Sequence, residues 1–115
     1  MATLNPVGQL SAVLHQILQE YCDILNRNTD KPTSTVIVND DHTRYLVITE
    51  GWKEQTRVHT LIFDAELRNS KIWLHHDGLD HGITEDLHAA GVSKDQIVLA
   101  FHPPHIREHT GYAIA

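Results

Sequence analysis

Arg44-Tyr45-Leu46-Val47-Ile48-Thr49, near the middle of a chain of 115 residues, decides the fold. Its apolar block rich in β-branched and aromatic side chains reads as a strand. Runs of the same kind lie on either side. Residues 35–38 are β-branched, residues 57–64 carry Val58, Leu61, Ile62 and Phe63, and residues 71–76 carry Ile72, Trp73 and Leu74. Asp40-Asp41-His42 and Asn69-Ser70 are turn signals, and residues 51–55 read as a polar break. Links this short between successive strands favour an antiparallel meander.

Outside the strands the period changes. Leu10, Val13, Leu14, Ile17, Leu18, Tyr21, Ile24 and Leu25 recur at helical spacing, with Gln16, Gln19, Glu20 and Asp23 on the other side. Residues 26–32 end that helix. A second, short helix is expected over residues 83–90 with Gly91 as its left-handed cap. Ser93 and Gln96 have capping-box spacing for one helical turn, and residues 97–101 form a fifth apolar run. The expected fold is α+β: one domain over residues 1–115, an antiparallel meander against an N-terminal helix with a second short helix, in two layers.

Strand parity carries a further expectation. Ile72 and Leu74 face one side and Trp73 the other; Tyr45 and Val47 oppose Leu46 and Ile48; Leu61 and Phe63 oppose Val58 and Ile62. Both sheet faces are then apolar, while one helix covers only one. The C-terminal segment or another subunit must cover the rest, so a homo-oligomer is expected.

The formal charge of −6 comes from fifteen acids against nine scattered bases. With no basic stripe to meet phosphates, DNA is expected to be contacted only indirectly. Ten histidines stay mostly neutral at pH 7. The single cysteine, Cys22, excludes an internal disulfide and sits beside the helical apolar stripe as a small hydrophobe. Residues 1–9 lack the basic and apolar regions of a signal peptide, and no apolar run suits a membrane helix. A cytoplasmic protein is expected.

Two histidine clusters invite a metal reading. If His75 and His76 end a strand, they point to opposite faces and cannot grip one ion. His102 and His105 flank Pro103-Pro104, whose extended conformation separates them by roughly 9 Å. His105 and His109 share a helical face but supply only two ligands. No metal or other cofactor is expected, and the Pro-Pro segment suits a rigid entry to one helical turn with Pro104 first. Asp64, Glu66, Glu85 and Asp86 read as solvated charge. No nucleophile elbow, P-loop or dinucleotide fingerprint is present, so no catalytic residue is assigned.

The runs Lys71-Ile72-Trp73-Leu74-His75-His76-Asp77-Gly78 and Ala90-Gly91-Val92-Ser93-Lys94-Asp95-Gln96-Ile97-Val98-Leu99-Ala100-Phe101-His102-Pro103-Pro104, with Arg107 and the closing Thr110-Gly111-Tyr112, resemble the XisI family. The resemblance extends over nearly the whole chain and departs from it at Leu79-Asp80-His81. It implies a small cytoplasmic α+β protein, mostly cyanobacterial, that controls excision of the fdxN DNA element. It also implies action with an XisH-like protein, beside a separate recombinase that performs the strand chemistry. The expected function is therefore a non-enzymatic accessory. The alternatives are an antitoxin-like inhibitor of a nuclease-like partner, or a metal-dependent enzyme using the histidines. Trp73, Asp77, Gly78, His102, Pro103, Pro104 and Arg107 are the candidate recognition residues.

Overall fold

The computed structural model describes residues 7–28 and 30–115. The absence of a signal peptide was read from residues 1–9, of which residues 1–6 lie outside those described. Helix α1 (Val7–Leu25) is followed by β1 (Thr33–Val38), β2 (Arg44–Lys53), β3 (Thr56–Arg68) and β4 (Lys71–Asp77). Then come α2 (Thr84–Ala89), a 3-10 turn (Lys94–Gln96), β5 (Ile97–Leu99) and α3 (Pro104–Arg107). The α+β fold with its leading helix is as expected.

The sheet runs β1-β2-β3-β4-β5. The first three pairings are antiparallel, but β5 lies parallel to β4, so the sheet is mixed and not the pure meander. The cause is the α2 crossover, which carries the chain back to the starting end of β4 before β5 begins. Asn69 and Ser70, with φ of 55° and 60°, form the type I′ turn between β3 and β4.

The polar break at residues 51–55 is shorter than expected. Strand β2 continues through Gly51 and Trp52, and only Glu54 and Gln55 lie between the paired Lys53 and Thr56. Gly51 permits this with φ of 146°, and a Cβ there would lie 3.1 Å from the Pro32 Cα. Because β1 ends its ladder at Glu50 and β4 ends its ladder at Phe63, the β2–β3 tip projects with no strand on either side among the described residues.

Two irregularities revise the parity. Val47 pairs with Phe63 but Ile48 pairs with Leu61, so Ile62 is an extra residue, a β-bulge. Ile62 therefore packs with Phe63 against the core, and Leu61 turns to the opposite, outer face. The second bulge is at His75, since Ala65 pairs with Leu74 and Asp64 with His76. Trp73 and His76, partners of Glu66 and Asp64, both face outward, and His75 reaches Glu66 on that same face. The opposed His75 and His76 of the sequence reading are thus corrected.

The core lies on the inner face. Leu10, Leu14, Leu18 and Cys22 of α1 pack with Tyr45, Val47, Phe63, Ala65, Ile72 and Leu74, all fully buried. Burial, with a smaller effect of Asp23, pushes the Cys22 thiol up, consistent with a packing role. The Tyr45 hydroxyl is shared with the Ser11 hydroxyl, which satisfies the one polar atom this ring brings inside. Ile83, Leu87 and Val92 extend the core beneath α2. Among the described residues no helix is long and apolar enough to cross a membrane.

Candidate interaction surface

The seven candidate residues fall into two groups. At the far end of β4, the Asp77 carboxylate accepts from the Leu79 N–H at 3.2 Å and from the Ile83 N–H at 2.8 Å. It thereby ties down the loop entering α2, whose first turn otherwise has no side-chain cap. Gly78 donates its N–H to the Ile62 carbonyl at 2.7 Å, so this turn closes onto the β3 bulge. These two residues build the architecture of that end.

The other five meet on the outer face. Trp73 is 8% exposed, and its indole N–H donates to the Arg68 carbonyl at 3.1 Å. The Arg68 and Arg107 guanidiniums lie 3.8 and 5.8 Å from its ring centroid, within cation–π range. Arg107 also donates to the carbonyls of His102 at 2.8 Å, Ala100 at 3.3 Å and Ile114 at 3.4 Å. One side chain thus gathers the tail over Trp73. Pro103 and Pro104 are exposed, with Pro104 opening α3 as expected. The His102 ring lies tilted against Phe101, centroids 4.7 Å apart, while His105 and His109 are exposed. Ala113 bridges to Val98, closing the β5 edge. The tail is accordingly a partial third layer over β4 and β5, beyond the expected two. No three potential metal ligands converge among the described residues.

Among the described residues, nothing covers the outer face of β1–β3 as the tail covers β4 and β5. There Ile37 pairs with Leu46 and Ile48 with Leu61, and all four face outward. Ile37 and Leu61 are each 42% exposed, and Leu46 and Ile48 are half-buried. Trp52, 60% exposed, stands at the projecting tip with the Arg57 guanidinium 5.8 Å from its ring. Between this apolar strip and Trp73 runs a charged row. Arg44 binds Asp64 through two hydrogen bonds of 2.7 and 2.9 Å, and His75 Nε2 lies 2.9 Å from Glu66 Oε1. Asp64 and Glu66 are therefore paired, not the freely solvated charges expected.

Sequence reasoning foresaw an apolar second face, with Leu46 and Ile48 opposite the core-facing Tyr45 and Val47, but missed Leu61 and Trp52. The bulge that exposes Leu61 had no sequence signal, and Trp52 was hidden in the supposed break. A signal for Trp52 existed, since an aromatic beside Gly and a following Arg57 fits a hairpin arm.

Glu66 offers a pH test. The bond to His75, helped by Arg68, His75 and Arg44, holds its carboxyl below the usual range against a smaller opposing effect of burial. Its stabilisation is in place above the ordinary glutamate value and is lost as pH falls through the depressed folded value. Thermal melts from about pH 6 down to about pH 3 should show Glu66→Gln losing less stability on acidification than the parent. Parallel acid limbs would contradict the pairing.

Comparison with known proteins follows the same geometry. The sequence pattern of the XisI protein family matches residues 4–114. The chain is similar to a crystal structure of the fdxN element excision controlling factor XisI from Anabaena variabilis ATCC 29413. They are 28% identical with a TM-score of 0.78, covering 95% of this chain and 98% of that one. A XisI-like protein from the same organism shares the fold, at 22% identity and a TM-score of 0.85, over 96% of this chain and 100% of that one. No curated protein matched.

Proposed function

Because the chain belongs to the XisI family, we propose that it is a non-enzymatic, cytoplasmic accessory of DNA-element excision that binds an XisH-like protein and a second copy of itself. The observation that carries this reading is the uncovered apolar strip Ile37, Leu46, Ile48 and Leu61 beside the exposed Trp52. A contiguous apolar patch rimmed by ion pairs has the anatomy of a protein-binding surface, with a desolvated centre and a polar edge. The formal charge of −6 supports a route through protein and not through direct phosphate contact.

The test is co-expression with an XisH-like protein encoded beside it, followed by affinity capture of that partner. A stoichiometric complex is expected. Leu61→Asp should weaken it about tenfold or more while leaving the melting temperature near the parent's, because Leu61 lies outside the core. Failure to recover a complex at micromolar concentrations would overturn the reading.

A further inference from the structure

The sheet has two edges, and they differ. At β5 the edge is closed by Ala113, whose N–H donates to the Ile97 carbonyl at 2.9 Å. At β1 the ladder to β2 uses Thr33, Thr35 and Ile37, as the Asn39 N–H to Arg44 carbonyl bond at 3.2 Å places the hydrogen-bonded pairs. The N–H and C=O groups of Ser34, Val36 and Val38 therefore point away from the sheet.

Ser34 is already satisfied. Its N–H donates to Asn26 Oδ1 at 2.9 Å, and its carbonyl accepts from Asn26 Nδ2 at 2.7 Å, so one side-chain amide mimics a neighbouring strand. Val36 and Val38 have no such partner among the described residues. What remains is a short, β-branched edge with four open backbone groups, bearing neither the lysine nor the internal proline that protects such edges.

We propose that this edge is the self-association interface, β1 of one chain pairing antiparallel with β1 of a second copy about a two-fold axis at Ile37. The proposal rests on the self-association stated above and specifies where it occurs. The register follows from Asn26. A two-fold at Val36 would call on Ser34, which Asn26 occupies. A two-fold at Ile37 pairs Val36 with Val38 of the second copy, and the reverse, using the four open groups of each chain in four bonds. Each chain turns away at Asn39, where its N–H bond to Arg44 and the Asn39–Thr43 contacts begin, before it would meet the other's Asn26. The two Ile37 side chains face each other directly, and the two outer apolar strips join into one doubled surface.

Light scattering should give a dimer mass, and Val36→Pro, which removes an outward N–H without touching the β2 ladder, should give a monomer with an unchanged far-UV spectrum. Oxidation of Ile37→Cys should yield a covalent dimer, because directly opposed Cα atoms in such a pair lie about 4.5 Å apart. Thr35→Cys should not, since its twin lies about 13 Å away along the strands. A parent that is monomeric would overturn self-association itself. A dimer that survives Val36→Pro, or that crosslinks through Thr35 and not Ile37, would overturn this interface alone. A monomer whose capture by an XisH-like protein is abolished by Val36→Pro would assign the edge to that partner and overturn the second copy.

Discussion

Replacing Trp73 with alanine is expected to destabilise the protein by about 3–5 kcal/mol, the range for removing a buried tryptophan. That is a large fraction of the roughly 5–15 kcal/mol that holds a domain folded. Trp73 is fully enclosed except for 8% of its surface, although it faces away from the helix-covered core. The enclosing groups are Arg68, Arg107 and the tail. Alanine leaves a cavity there and removes the indole donor to the Arg68 carbonyl. The effect should reach the tail in particular. Arg107 binds three carbonyls of the segment but stands on the Trp73 ring, so without the ring the segment loses its seat. Urea unfolding should show the loss of stability, and trypsin should cut after Arg107 faster than in the parent. Trp73→Phe, keeping a ring but not the N–H, should lie between. A loss below about 1 kcal/mol with unchanged proteolysis would mean that the tail is held elsewhere.

Gly78→Ala is the second large effect, for a different reason. Nothing is removed; a methyl group is added where there is no space. A Cβ on Gly78 would lie 2.7 Å from the Ile62 carbonyl oxygen, a backbone atom that cannot rotate aside. Overpacking of this kind costs about 1–3 kcal/mol. The displacement acts on both neighbours, the Asp77 carboxylate that ties down the entry to α2 and the Ile62 bulge that turns Leu61 outward. Gly8→Ala is the internal control, because a Cβ there meets nothing within 4 Å and the position is helical. That change should be neutral or stabilising by up to about 1 kcal/mol. Equal denaturation midpoints for the two variants would remove the steric explanation.

The candidate recognition residues were legible as types but not as structural roles. Asp77 and Gly78 read as a polar turn, and they are a turn. That the carboxylate serves two N–H groups of the α2 entry, and that the glycine seats against a bulge, depends on β3 lying beside them. Arg107 was one of nine scattered bases in the sequence. Its three carbonyl partners lie within 7 positions of it, but its place over Trp73 joins residues up to 39 positions apart, counting 107 minus 68 across the two arginines flanking the ring. No local pattern encodes such a meeting.

The elements themselves were local, and the sequence determined them. The helical period that buries Leu10, Leu14, Leu18 and Cys22, the I′ turn at Asn69-Ser70 and the left-handed Gly91 at φ 97° follow from side-chain spacing and backbone sterics within a few residues. Tertiary structure alone decided the two bulges, the parallel seat of β5 and the distinction between a closed and an open sheet edge. A bulge is chosen by the register of two strands together, and here one extra residue, Ile62, reverses which face Leu61 shows. An open edge is likewise a property of everything that fails to cover it, so the one at Val36 and Val38, open among the described residues, emerges only from the tertiary structure.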